Sequence, residues 1–239
     1  MFREAGEPVM MSRVTRSPWW QPERARFLAS AILEDLAVDT ALTVGQVRRR
    51  YGAPRDLVRK VCKLLGEAVE YRTVGLRPAA NAYREIRVEV MSLGRIRKVS
   101  RLPYLLGLAE MRTALSVPPD RWHIQAKTPW GLSPRSLPSV VATHSDGQLL
   151  AVEYDCGQYQ RTHIVARHRT LASCWPRVVW GVPGLRRAIS IARTLPDAEV
   201  WHVSWETGSH VLVQRDGQLL VTPETLADTP GTTSSTDRG

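Results

Sequence analysis

Apolar residues recur at helical spacing through the front of the chain, and alternate with polar ones through much of the remainder. Pro22 and Glu23 open a segment to about Val38 in which Leu28, Ile32, Leu33 and Leu36 share one side, which predicts a first helix. The stretch LTVGQVRRRYGAPRDLVRKVCKLLG, Leu42 to Gly66, predicts two short helices broken at Gly52-Ala53-Pro54. Thr43 is placed as the N-cap of the first, and Pro54 falls where the second begins and a missing N–H costs little. In the second helix Leu57, Val61, Leu64, Leu65 and Ala68 form an apolar stripe, and Arg55, Arg59 and Lys63 fall on the other side. Two strands are expected next, Val69 to Val74 and Tyr83 to Val90, joined by a loop carrying Gly75, Arg77, Pro78 and Asn81.

Three helices followed by a β-hairpin are the pattern of a winged helix-turn-helix, whose last helix enters the DNA major groove. The segment LPYLLGLAEMRTAL, about Leu102 to Leu115, is a mostly apolar helix suited to burial between domains or against a sheet. From Asp120 strands are expected at Trp122 to Ala126, Leu137 to Thr143 and Gln148 to Tyr154, the last two turned by Ser145-Asp146-Gly147. A helix over Gln158 to Ala172, a strand over Arg177 to Trp180, a helix over Gly184 to Leu195 and a strand over Val200 to Ser204 follow. A hairpin over Val211 to Val221, turned at Asp216-Gly217, closes the series. Strands alternating with helices after an opening hairpin predict a mixed sheet with helices on its faces. Residues 1–21, with the pair Trp19-Trp20, are expected to be a flexible arm, and 223–239 a disordered tail.

Charge sharpens this picture. Lys and Arg number 33 against 23 Asp and Glu, and the excess sits in front: residues 1–115 hold 21 basic and 12 acidic side chains, 116–239 hold 12 and 11. A basic front half built as a winged helix implies duplex DNA as the partner. Arg55, Arg59, Lys60 and Lys63 are the candidate contacts from the last helix, Arg77 and Arg84 from the wing, and Arg48, Arg49 and Arg50 from the preceding helix. Cys62, Cys156 and Cys174 are widely spaced and contain no CxxC, which indicates neither a disulfide framework nor a zinc site. No apolar run reaches the roughly 18 residues of a spanning helix, so no membrane partner is expected and a reducing cytoplasm fits. The phosphate-loop and dinucleotide fingerprints are both absent, as is HExxH among the six histidines.

The segment LPSVVATHSDGQLLAVEYDCGQY holds the one possible active-site pattern. On the strand AVEYD, Glu153 and Asp155 point to one face and Tyr154 to the other. Two carboxylates at a strand end are candidate ligands for a divalent cation. A second reading has them paired with arginines such as Arg161, Arg167 or Arg169, holding a helix to the sheet.

The hairpin resembles that of the PD-(D/E)xK nuclease fold. A winged helix, a helix like LLGLAEMRTAL, and such a hairpin followed by a helix together resemble bacterial replication-relaxation proteins of plasmids and mobile elements, over roughly residues 22–205. The resemblance implies an α/β protein: a winged helix at 22–92, a basic bridge and connecting helix at 93–117, and a restriction-endonuclease-like mixed-sheet domain at 118–222. Glu153 matches the motif's acid. Ser139 stands where the motif has Asp, and Asp155 where it has Lys, and Ser is a poor metal ligand while Asp reverses the sign of the assisting group. Lys127, His163 or His168 could substitute for that group. The expected function is therefore DNA binding in plasmid replication or transcription control, with no cofactor and an inactive nuclease-like domain. The alternatives are a Mg-dependent endonuclease using Glu153 and Asp155, and a winged helix that binds another protein. A homodimer is compatible with each.

Overall fold

In the computed structural model, residues 21–79, 82–94, 98–125 and 137–221 are described. The arm, the tail, Arg95, Arg97 and Lys127 lie outside the described residues.

The protein is an α/β chain with a helical N-terminal region and a seven-stranded mixed sheet in its C-terminal part. Helix α1 (Pro22–Asp39) packs Leu28, Ile32 and Leu36 inward. A short strand β1 (Ala41–Thr43) leads into α2 (Val44–Tyr51). Thr43 caps α2 reciprocally: its hydroxyl accepts from the Gln46 N–H at 2.9 Å, and the Gln46 side-chain oxygen accepts from the Thr43 N–H at 2.9 Å. Gly52 ends α2 in the left-handed conformation, φ 60°, which any side chain would strain. Pro54 stands at the N-cap position of α3 (Arg55–Leu64), without a side-chain cap.

The buried side of α3 is Leu57, Val58, Val61 and Cys62. Leu64, expected in the stripe, is 71% exposed, because the buried side centres on Val58, Val61 and Cys62 and Leu64 falls at its edge. Strands β2 (Val69–Leu76) and β3 (Ile86–Leu93) form the expected hairpin, and β1 joins its other edge, giving the antiparallel order β1-β3-β2. Strand β1 is not foreshadowed by any pattern, since three residues are too few for alternation to register.

Helix α4 (Leu102–Ala114) is the joint of the molecule. Leu102 and Leu106 pack with Leu76 and Val90 of the small sheet and with Trp205, whereas Leu108 and Met111 pack on the large one. That large sheet runs in the order β10-β9-β8-β7-β6-β5-β4. Its strands are β4 (Trp122–Ile124), β5 (Val140–Thr143), β6 (Leu149–Tyr154), β7 (Arg177–Val182), β8 (Glu199–Val203), β9 (His210–Arg215) and β10 (Gln218–Leu219). Strands β6, β7 and β8 run parallel and the other pairs antiparallel. The crossovers are α5 (Arg161–Ala172) and α6 (Leu185–Thr194), which pack against Ala151, Trp180 and Val200 on the face away from α4. Close approach of α4 to the sheet depends on two glycines. A Cβ on Gly107 would lie 2.0 Å from the Tyr154 ring, and one on Gly181 would lie 2.3 Å from the Met111 sulfur.

Candidate functional site

The cations expected to face DNA divide into two groups. Arg48, Lys60, Lys63, Arg77 and Arg84 are exposed. The other four are held by carboxylates. Arg55 donates to Glu89 of β3 through Nε and Nη2, at 2.9 and 2.6 Å, and Arg59 through Nε at 2.7 Å. Tyr71 on β2 donates its hydroxyl to the same carboxylate at 2.6 Å. Burial pushes Glu89 up, but the hydrogen bonds from Arg59, Tyr71 and Arg55 outweigh it and bring the carboxyl down to about 2. Both arginines remain partly exposed, at 54% and 38% of their side chains, so they can reach a second anion.

Arg49, exposed overall, and Arg50, half-buried, both turn their guanidinium groups to carboxylates. Arg49 donates to the Glu110 carboxylate at 3.2 Å and to the Trp205 carbonyl at 2.9 Å. Glu110, on α4, also accepts from Gln46 at 2.8 Å and meets His210 of β9 at 2.8 Å. Burial raises its pKa, but His210, Arg49 and Gln46 together hold it below the usual carboxylate range. The Arg50 side chain is only 10% exposed and contacts Asp35 and Asp39 of α1 at 2.8 and 2.7 Å. Arg112 of α4 reaches the same two carboxylates, meeting Asp39 at 2.7 Å and Asp35 more closely still. These two arginines and two aspartates balance in charge within the packed boundary between α1, α2 and α4. A phosphate contact by Arg50 would strip a buried carboxylate of its partner, a cost of several kcal/mol.

The strand pair Glu153 and Asp155 lies on the α5 and α6 side of β6, and Tyr154 on the α4 side, with its hydroxyl donating to the Val203 carbonyl at 3.1 Å. Glu153 is buried. It accepts from the Ser139 N–H at 3.0 Å and hydroxyl at 2.6 Å, and from Arg167 of α5 at 3.2 and 2.6 Å. Asp155, equally buried, accepts from the backbone N–H groups of Gly157, Gln158 and Tyr159 with one oxygen and from Arg187 of α6 with the other, at 2.6 Å. Each carboxylate thus has its own guanidinium, and their oxygens are occupied by donors that a cation would have to displace. Among the described residues no group of three or more His, Cys, Asp or Glu side chains could hold a metal ion. His168 lies with Trp180 and Asp197, and His163 packs edge-on to Tyr159.

Sequence reasoning named Arg167 but missed Arg187, Glu89, Glu110 and Arg112. Glu110 and Arg112 carried a signal: two opposite charges inside an otherwise apolar helix need buried partners. Nothing in the local pattern around Glu89 points to Arg55 and Arg59, which are 34 and 30 residues away. No family model matches the chain, and no curated protein is significantly similar to it. No helix among the described residues is long and apolar enough to cross a membrane.

Proposed function

We propose that the protein binds duplex DNA through its N-terminal region, as a winged helix-turn-helix, and that it serves replication or transcription control on a plasmid or other mobile element. The observation that carries this reading is the element order α1-β1-α2-α3-β2-β3 with sheet order β1-β3-β2, in which α3 turns an exposed basic side outward. On that side are Lys60 and Lys63, with Arg48 on α2 and Arg77 and Arg84 on the hairpin, each exposed. Phosphate contacts by such side chains fix position, and the partly exposed Arg55 and Arg59 are the groups best suited to reach base edges.

The meander β4-β5-β6 followed by two parallel crossovers agrees with a nuclease-like sheet. In this reading the sheet is a scaffold. Glu153 and Asp155 fasten α5 and α6 to β6 through Arg167 and Arg187, and no hydrolytic step is assigned to them. The plasmid and replication-relaxation part of the reading rests on the resemblance alone.

Fluorescence anisotropy with a labelled duplex tests the proposal. Lys63→Glu and Arg48→Glu should each weaken binding about tenfold at low salt, since each reverses a charge at the phosphate surface. Wild-type binding of duplex that neither reversal alters would overturn the assignment.

A further inference from the structure

The carboxyl end of β6 opens into a cleft of about 460 Å³ between the hairpin, the start of α4 and the loop before α5. That volume is in the range of small-molecule sites, roughly 300–1,000 Å³, and open sheets with parallel strands place ligands at this end.

Its lining has a particular chemistry. Arg77 enters from the end of β2 and Arg101 from the turn before α4, both exposed. Tyr104 of α4 and Tyr159 of the loop before α5 supply two half-buried aromatic rings, and Gln158 an exposed amide. Two acids also border the cleft. Asp155 has its charge met by Arg187 and its oxygens filled by three backbone N–H groups, so it shapes the Gly157–Tyr159 loop and does not confront a ligand as a bare anion. Glu85 lies across Gly75, where an added Cβ would come within 1.8 Å of its carboxylate, so this acid stands on the hairpin wall of the cleft. Guanidinium groups recognise phosphate oxygens, tyrosine rings stack on planar bases, and an amide can pair with a base edge.

We infer that this cleft binds a nucleoside phosphate, with the phosphate on Arg77 and Arg101 and the base against Tyr104 and Tyr159. The inference goes beyond duplex binding and shares only Arg77 with it, so the variants tested are at Arg101 and Gln158, outside the duplex-binding set. A free mononucleotide and one unpaired nucleotide of a single strand share this chemistry, and the test separates them.

Full-length protein is titrated with fluorescein-labelled (dT)8, with dTMP and inorganic phosphate as competitors and a labelled duplex in parallel. Binding of (dT)8 is expected, with tenfold or greater weakening in Arg101→Glu and Gln158→Ala and duplex affinity changed less than twofold. Both substitutions are at exposed positions, and an unchanged circular-dichroism melt identifies folded variants. Competition by dTMP well below the phosphate concentration needed for the same effect assigns a free nucleotide; loss of (dT)8 binding in the variants without dTMP competition assigns a strand. Binding of neither ligand, equal competition by phosphate, or variants that bind like wild type would overturn the inference. Duplex binding in the parallel titration reports separately on the N-terminal reading.

Discussion

Buried Glu153 of β6 and partly exposed Arg167 of α5 form an ion pair at 2.6 Å, and the Ser139 hydroxyl donates to the other oxygen of the same carboxylate. Glu153 is therefore built into the packing between helix and sheet. Glu153→Ala leaves the guanidinium and the Ser139 donors without an acceptor, and should cost about 3–5 kcal/mol in urea unfolding. Glu153→Gln keeps acceptor capacity and should cost less, about 1–3 kcal/mol. A carboxylate kept for a metal would behave oppositely: its removal would leave the metal-free protein as stable or more so.

The Arg50, Arg112, Asp35 and Asp39 cluster makes a similar claim about the boundary between α1 and α4. Arg112→Met removes one of the two guanidinium groups shared by both aspartates and should destabilise by about 3–5 kcal/mol. Arg50→Glu should unfold the protein outright or nearly so, while Arg48→Glu, two residues earlier and exposed, should leave the melting temperature almost unchanged. Equal melting of the two variants would refute the burial of Arg50.

Gly107→Ala sets two effects against each other. Helix propensity alone favours alanine by about 1 kcal/mol. The added Cβ, however, would sit 2.0 Å from the Tyr154 ring, and overpacking of this kind costs about 1–3 kcal/mol. Since Tyr154 is fully buried, a net loss of stability is expected. A gain would mean that α4 can move away from the sheet.

Acid should destabilise the fold. Glu110, Asp35 and Glu199 are buried carboxylates whose partners outweigh burial and hold each pKa below its ordinary value, and Glu89 is brought down to about 2. A group with a depressed folded pKa stabilises above its unfolded value, near 4.5 for glutamate, and that contribution fades as pH falls through the folded value. Urea midpoints should accordingly be level above pH 5 and decline steeply between about pH 4.5 and pH 2. A midpoint that stays level down to pH 3 would contradict these ion pairs.

Much of this architecture was legible because its patterns are local. The Asp216-Gly217 hairpin and the alternation of AVEYD could be read from neighbouring residues, and Glu153 and Tyr154 do lie on opposite faces. What escaped depends on distant partners. Arg187 reaches Asp155 across 32 residues, and Arg49 reaches Trp205 across 156. A run of three arginines looks like one basic surface in sequence, yet successive helical positions point about 100° apart. Arg48 therefore faces out while Arg49 and Arg50 turn toward carboxylates on α4 and α1.

The most direct measurement is the affinity of the full-length protein for a labelled duplex as a function of salt concentration. About five phosphate contacts, from Arg48, Lys60, Lys63, Arg77 and Arg84, predict that log K falls with log salt at a slope of about −4.5. Lys63→Glu should make that slope shallower by about one. A slope near zero, or no binding at low salt, would contradict DNA binding by this face.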